Sequence, residues 1–555
     1  MKTSLETVLD YHQRTKHHLD RYAAGPHGLD WDAQPDPFRT FSGSDQLRLP
    51  LLGDLSQPRY AALYKPQVIP AQAVELRTIA ALLELSFGLS AWKQYGGARW
   101  ALRCNPSSGN LHPTEAYLVV QGCPGIADGV HHYLSRDHVL EQRCRFSTPE
   151  RVLPEGAFLI GLSSIHMRES WKYGERAFRY CQHDAGHAMA ALRYAAAALG
   201  WKATLLEAWS DAETGALLGL DRQADFGFGD REHPDVMLLV TPSGVKEESP
   251  DLDAQAMVQL ARTGGWHGSA NILSPRPQFP WPVIDQVADA TLKPRTPVSQ
   301  WHAPPLPAPL ESGCTQGAAE IIKQRRSAQR FDGTTTLSAT AFIRMLDMTL
   351  PRTGVAPWDT IAWEPAIHLI LFVHRVEGLE PGLYLFLRNA HAEAKLRAAL
   401  SAEFEWQPVA GCPAHFSMFR LLVADTQEAA RTLSCHQDIA SRSVFSLGML
   451  AEYEDNLAQA PWRYRRLFWE AGILGQVLYL EAEAAGVRGT GIGCYFDDEV
   501  HAVLGIANQT FQSLYHFTVG GPAMDERLQT LPAYAHLQRE GGGARVCREQ
   551  RESRD

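Results

Sequence analysis

No stretch of the 555 residues approaches the roughly 18 consecutive apolar side chains of a membrane span, and the opening Met-Lys-Thr-Ser-Leu-Glu-Thr leads into charged sequence without the apolar core of a secretion signal. Neither membrane insertion nor export is expected. The nine cysteines, scattered from Cys104 to Cys547, include no Cys-x-x-Cys pair. That excludes a zinc ribbon and a disulfide framework and leaves reduced thiols in a cytoplasmic protein as the reading. Positive charge is in deficit: 52 Lys and Arg against 62 Asp and Glu give a net charge of -10. The clustered cations that displace counterions from nucleic acid are therefore missing, and no nucleic-acid partner is expected. His17-His18 and His131-His132 have neither a second ligand at helical i,i+4 spacing nor a carboxylate pattern beside them, so no metal is expected.

What is present is ordinary globular composition, 45% apolar and 21% charged. A single core stops growing at about 250–300 residues, so a chain of this length divides into two domains of similar size. Ten prolines between Pro275 and Pro309 mark the division, because such a run lacks backbone donors and holds φ near one value. A core helix or central strand is not expected there. We place an N-terminal domain at 1–267, a Pro-rich linker at 268–312 and a C-terminal domain at 313–540. Trp281 and Trp301 suggest that the linker lies against the folded surface. The tail from Gly541, three glycines followed by alternating Arg and Glu, is expected to be disordered.

The halves repeat one another. Residues 179–220 align without a gap on 465–506, at a constant offset of 286. The register pairs Ala185-Gly186 with Ala471-Gly472, Gly200 with Gly486, Thr204 with Thr490, Asp211 with Asp497, and Leu218-Gly219 with Leu504-Gly505. Apolar residues at helical spacing, from Ala185 to Leu199 and from Leu467 to Ala482, predict a buried helix in each copy, ended by Gly200 or Gly486. Strands are predicted at Ala116–Val120 and His368–Val373, followed by Gly129 to Tyr133 and Gly382 to Tyr384. The acidic run Asp497-Asp498-Glu499 reads as a helix cap. These patterns describe a duplicated α+β unit.

Three segments carry chemistry. Arg103-Cys-Asn-Pro106-Ser107-Ser108-Gly109-Asn110 precedes a strand; its hydroxyls and free N–H groups suit the polar edge of a heterocycle or a phosphate, and an ordinary turn is the plainer reading. Arg325-Arg326-Ser327-Ala-Gln-Arg330 follows a short helical run and suits a phosphate through forked guanidinium donors, or is a solvated helix end. Gly486-Val-Arg-Gly-Thr-Gly491-Ile492-Gly493-Cys494 removes Cβ atoms, so that backbone amides can approach a ligand. It follows a helix instead of opening one after a strand, which excludes a Rossmann turn.

In this order and combination the three segments resemble the FMN-contacting segments of the nitroreductase superfamily. The first half resembles its SagB-type branch, the azoline dehydrogenases of thiazole and oxazole peptide pathways, through Tyr11-His-Gln-Arg-Thr-Lys-His17, Arg103 leading into Pro-Ser-Ser-Gly, and Trp171-Lys-Tyr-Gly-Glu-Arg-Ala-Phe-Arg-Tyr180. The resemblance implies an α+β fold of two fused nitroreductase-like domains, each a mixed sheet flanked by helices, joined as an intramolecular pseudo-dimer that could associate further. It implies FMN, with phosphate binding by Arg325, Arg326, Ser327 and Arg330, ring contacts from Arg103, Pro106, Ser107, Ser108, Gly109, Asn110 and the loop Gly491, Ile492, Gly493, Cys494, and a phosphate contact from Arg527 in the closing segment. Lys172 and Tyr173 match a Lys-Tyr pair that serves as base. The substrate implied is a small molecule or peptide-derived heterocycle. An NAD(P)H-dependent nitro or quinone reductase, and a partner subunit that has lost FMN, are the rivals. His112 departs from the family's Tyr or Gln, and no leader-peptide domain is evident.

The parts are divided between the halves. Aligning the helices after each cluster puts Leu63, Tyr64 and Gln67 at the positions of Arg326, Ser327 and Arg330, and the repeat puts Leu205, Leu206, Glu207 and Ala208 at those of Gly491 to Cys494. The second half has Asp359-Thr-Ile-Ala-Trp-Glu-Pro before its strand instead of Pro-Ser-Ser-Gly. One composite site, one degenerate site and about one FMN per chain are expected.

Overall fold

The computed structural model describes residues 2–537 except 54, 56, 149, 228–230, 245–251 and 277. The tail from Gly541 lies outside the described residues. In the first half a hairpin of β1 (Leu89–Tyr95) and β2 (Ala98–Arg103) precedes four strands, β3 (Thr114–Val120), β4 (Gly129–Leu134), β5 (Val139–Arg145) and β6 (Phe158–Ser164). Helices α1 (His166–Tyr173) and α2 (Ala177–Ala198), strand β7 (Trp201–Leu205), helix α3 (Asp211–Leu218) and strand β8 (His233–Pro242) follow. After a helix in the Pro-rich stretch, α4 (Pro282–Ala290), the second half opens with α5 (Ala318–Gln324) and strands β9 (Ile367–Val373), β10 (Gly382–Leu387), β11 (Ser417–Val423) and β12 (Phe445–Glu452). It ends with α6 (Arg463–Ala484), β13 (Arg488–Ile492), α7 (Asp497–Leu504), β14 (Phe511–Gly520) and β15 (Gln529–Leu531).

Each half builds one sheet, and the strand orders match: β5-β4-β3-β6-β8-β7 in the first and β11-β10-β9-β12-β14-β13 in the second. The pairings along both paths are antiparallel. The mixed pairing expected of the sheets is confined to a short parallel ladder of Leu337–Ser338 on Val376–Glu377. Helices α2 and α6 both have 22 residues, and their bounds differ by the same 286 positions as the sequence repeat; those of α3 and α7 do too. A single cluster of buried apolar side chains, including Leu82, Leu192, Leu474 and Phe517, runs through both halves.

The halves meet along α2 and α6 in a way that maps onto itself when they are exchanged. A Cβ on Gly186 would strike the carbonyl of Trp469, and a Cβ on Gly472 would strike that of His183. These residues pair with one another under the offset of 286. Arg179 bonds Asp497 at 2.8 Å, and its repeat partner Arg465 bonds Asp211, the repeat partner of Asp497, at 2.5 Å. Self-complementary contacts of this kind define an isologous two-fold interface, here between halves of one chain. Asp497 does open α7, but its carboxylate is spent on Arg176, Arg179 and the His17 amide instead of on a cap. Burial alone would raise the Asp497 carboxyl; the two guanidiniums outweigh it and hold the group well below the ordinary aspartate range.

Because the obstructing atoms at Gly186 and Gly472 are backbone, no rotamer change can make room. Replacing either by alanine is expected to destabilise the fold by about 1–3 kcal/mol through overpacking. Gly313→Ala, which meets nothing within 4 Å, serves as the control. Urea midpoints for the three variants check this, and equal midpoints would contradict the close helix crossing.

The Pro-rich stretch is not wholly extended. Pro282 occupies the start of α4, where a missing N–H costs nothing, and Ile284, Val287 and Ala288 are buried. Beyond α4 the chain lies across the first half as a strap: Lys293 N donates to Asp211 at 2.8 Å, Thr296 N to Ala208 O at 3.1 Å and Ser299 N to Glu207 at 3.1 Å. At the other end of the second half the chain crosses back. β15 pairs with β1, Trp92 Nε1 donates to Ala533 O at 2.8 Å, and Leu89 N donates to the Tyr534 hydroxyl at 2.9 Å. Among the described residues no helix is long and apolar enough to cross a membrane and no cluster of metal-ligating side chains occurs. His132 instead lies between Glu115 and Glu141, 3.0 Å from each, and these bonds push it up to about 9 against the opposing effect of burial.

Candidate functional site

Residues from both halves line a cleft of about 440 Å³, within the range of small-molecule sites, roughly 300–1,000 Å³. The first-half wall forms where β2 ends. Cys104 N donates to Gly88 O, and the chain then turns through Ser107–Asn110. Gly109 and Asn110 have φ of 59° and 61°. Glycine is needed at 109 for this conformation and also because a Cβ there would strike the Tyr173 hydroxyl. The turn is fastened to α2: Ser108 N and Oγ donate to Asp184 at 3.1 and 3.0 Å. His112 N donates to Ser107 Oγ at 2.8 Å, and Asn110 Nδ2 donates to Ala101 O at 2.9 Å.

The second-half wall begins where α5 ends. Ala328 N donates to Gly489 O at 3.2 Å, which seats Arg325–Ala328 beside β13. Arg325 is buried against the Tyr479 ring; its Nη2 donates to Arg103 O at 2.9 Å and its Nε has no partner. Arg326 donates to Ser90 Oγ and O, and the Ser327 hydroxyl lies 2.8 Å from that of Tyr479, which also accepts from Gly491 N. Lys93 and Arg488 line the same end of the cleft. Glu483 bonds the Arg326 amide at 3.1 Å and Arg488 at 3.3 Å, with Arg325 also close to it. Burial, and then the neighbouring Arg325, push Arg326 down to about 10. Burial, followed by Arg326 and Arg488, lowers Lys93 as well. Positive charge outweighs negative here, so this end suits an anion.

Of the residues singled out in the sequence, Arg103, Pro106 to Asn110, Tyr173, Arg325 to Ser327 and Gly491 to Cys494 all line this cleft. Three do not. Arg330 is exposed beyond the turn, with its backbone carbonyl accepting from Ala523 N. Arg527 is chelated by Asp525 at 2.9 and 2.7 Å and lies over the Tyr95 ring on the outer surface. Lys172 sits on the flank of α1, its ammonium 5.3 Å from the centre of the Tyr173 ring. Cβ atoms at Gly491 of β13 and at Gly493 just after it would strike Tyr515 and Tyr180.

Sequence reasoning missed Tyr180, Asp184 and His187, which line the cleft from α2. A signal was available. In the repeat they stand opposite Arg466, Glu470 and Ile473, and their spacing of four and three puts the mismatches on one helix face. Also missed was Glu169, one turn before Tyr173 on α1, buried with both carboxyl oxygens unpartnered. Burial, reinforced by Asp184, pushes Glu169 well above the ordinary glutamate range. Burial, and then Glu169, also push the Tyr173 phenol well up, which favours its neutral form. Asp184 is raised to about 7 by burial, with bonds from Ser107 and Ser108 opposing. Its ionisation therefore falls at neutral pH.

The symmetry-related position is built from different residues, and Tyr64, at the position of Ser327, lines a separate cavity of about 480 Å³ with Lys65, Arg344, Arg352 and the Pro304–Ser312 stretch. Glu470, the counterpart of Asp184, accepts from the backbone of Ala366 and Ile367 at 3.2 Å. Arg193, the counterpart of Tyr479, makes a forked 2.8 Å pair with Asp359. Glu207, the counterpart of Gly493, is held under the linker strap. Leu63 and Tyr64 are buried, with the Tyr64 hydroxyl bonded to Tyr60 and Tyr194.

A crystal structure of a protein described as a nitroreductase from Anabaena variabilis superposes on 93% of this chain and 99% of its own, with a TM-score of 0.67 and 21% identity. The fold is that of a nitroreductase. The superposition extends through both halves. Residues 64–228 match the model described as "Nitroreductase family". A protein of Methanocaldococcus jannaschii named as a nitroreductase is 26% identical over 152 residues, which are 26% of this chain and 70% of that protein.

Proposed function

We propose that the chain is an FMN-dependent oxidoreductase that binds one flavin between its halves and acts as a dehydrogenase on a small molecule or a peptide-derived azoline-type heterocycle. The observation that carries this reading is the polarity of the composite cleft. One side is lined by Lys93, Arg325, Arg326 and Arg488, with the buried Arg325 Nε unpartnered. The other wall is the polar turn Ser107–Asn110. A flat ring joined to a phosphate matches that arrangement. Arg325, Arg326 and Ser327 would hold the phosphate, with Lys93 and Arg488 beside them. Ser107, Ser108, Asn110 and the Gly493-Cys494 backbone would face the ring.

Bound FMN supplies hydride acceptance and donation. The chain must then orient the substrate and move the accompanying proton. Tyr173 presents its hydroxyl at the turn that would face the ring. In the direction of substrate oxidation this hydroxyl accepts the substrate's proton as its own moves on to Asp184, the carboxyl poised near neutral pH. In reduction the transfer runs in reverse, with Glu169 holding a second proton behind Tyr173.

The protein purified from its host is expected to be yellow and to release FMN, not FAD, at close to one per chain. Chromatography of the heat-released cofactor against protein concentration checks this. Two flavins per chain would contradict a single composite site, and a colourless protein that takes up no added FMN would end the proposal. Anaerobic mixing separates the reaction classes, since an azoline compound should reduce the flavin and rapid reduction by NADPH alone would favour a nitro or quinone reductase.

A further inference from the structure

Cys494 and Cys435 lie 59 residues apart in sequence, yet their sulfurs are 2.6 Å apart at the rim of the cleft. Cys494 follows β13 and lines the cleft. Cys435 sits in the turn between the helices Gln427–Leu433 and Asp438–Ser441. That turn takes an unusual path: Cys435 and His436 both have positive φ, 54° and 58°, without glycine's freedom. Such a conformation persists only where the surroundings hold it. Two links do so, one on each side of the sulfurs. Phe496 N donates to Leu433 O at 2.9 Å, and Gln437 Nε2 donates to Cys494 O at 3.2 Å and to Ser434 O at 2.8 Å. The two segments are thereby held in register with the thiols facing each other. Both cysteines are partly exposed, whereas Cys104, Cys144 and Cys181 are buried.

We propose that Cys435 and Cys494 are a reversible thiol–disulfide pair that reacts with low-molecular-weight disulfides and, when oxidised, staples the rim of the cleft to the turn at Cys435. A disulfide needs about 2.05 Å between sulfurs, so closure requires a shift of about half an ångström. Cys494 is the attacking group. Contact with the Cys435 thiol draws it below the ordinary thiol value, burial opposes this, and the Arg176 guanidinium adds to the lowering. Its thiolate attacks a disulfide RSSR, forming a mixed disulfide and releasing one RS⁻, which takes up the proton Cys494 has lost. The Cys435 thiol then gives up its proton and attacks the Cys494 sulfur, releasing the second RSH. Two protein thiols are oxidised and one RSSR becomes two RSH. The exchange is independent of which cofactor the cleft binds.

The test equilibrates the full chain with oxidised glutathione, quenches with acid, alkylates the remaining thiols and maps peptides by mass spectrometry. A Cys435–Cys494 cross-link is expected in more than half of the molecules, removed by dithiothreitol. In Cys435→Ser the mixed disulfide on Cys494 has no resolving partner, so glutathione on Cys494 should rise at least tenfold over the unsubstituted chain. Fewer than half of the molecules cross-linked, a link from Cys494 to any other cysteine, or no rise in glutathione on Cys494 in the variant would overturn the proposal.

Discussion

Replacing both Arg325 and Arg326 by alanine is expected to strip FMN from the protein and leave the chain folded. Each arginine offers a charge-assisted bond worth about 1.5–3 kcal/mol, so losing both weakens binding by roughly 10²–10⁴-fold. The fold should tolerate this because Arg325 is a buried cation without a carboxylate partner. Burial already lowers it from the ordinary arginine value, so alanine relieves a desolvation cost as well as removing a bond to Arg103 O. Arg330→Ala and Arg527→Ala are the controls: neither side chain lines the cleft, and flavin content should not change. Absorbance per chain after dialysis, with circular dichroism as the folding check, reads the result. Full flavin in the double variant would remove the cation cluster from cofactor binding.

The controls also show where reading the sequence stopped. Arg330 is only three residues from Ser327, and the cluster looked like one anion clamp. The backbone bond of Arg330 O to Ala523 N instead belongs to a turn that carries the side chain outward. Arg527 has its own carboxylate two residues away and is chelated by Asp525, outside the cleft lining. Neither outcome follows from spacing, because each depends on how a loop bends after the secondary structure is set. The duplication was legible for the opposite reason. Helix packing across the pseudo-two-fold constrains the same residue types twice, so Gly186 and Gly472, and Asp211 and Asp497, stayed matched. The composite cleft could be inferred from what each half lacked. The contact between Cys435 and Cys494 could not, since it arises from a turn with two positive-φ residues that carries no glycine to announce it.

The two symmetry-related positions carry different residues although the chain keeps a two-fold interface. A symmetric dimer presents two identical sites, and any change improving one acts on both. Fusion removes that constraint. Here the two positions differ: Arg193 and Asp359 form a forked ion pair where Tyr479 faces the cleft in the other copy, and Glu207 anchors the linker strap where Gly493 faces Tyr180. The reciprocal Arg179–Asp497 and Arg465–Asp211 pairs remain because they hold the halves together.

Tyr173→Phe is expected to lower turnover by about 10²–10⁴-fold, the usual contribution of a positioned acid–base group, without reducing flavin content. Phenylalanine keeps the ring, its 4.5 Å contact with Tyr180 and the cover over Gly109, so the change isolates the hydroxyl. Lys172→Ala should cost much less. Its ammonium lies 5.3 Å from the Tyr173 ring centre and outside the cleft lining, so what it loses is a cation–π contact of about 0.5–2 kcal/mol, at most roughly 30-fold. The order of the two effects is therefore the discriminating quantity. If Lys172 were itself the base, its loss would equal or exceed that of the hydroxyl. Because Tyr173 is held protonated well above its ordinary range, the unsubstituted enzyme should show no alkaline limb from this group below its ordinary value of about 10. A limb near 7 belongs to Asp184 and should disappear in Asp184→Asn. Single-turnover flavin reduction by an azoline compound, measured across pH for the three variants and the unsubstituted chain, supplies all of these readings. Full turnover in Tyr173→Phe would sink the proton-transfer role, and a larger loss in Lys172→Ala would transfer it to the lysine.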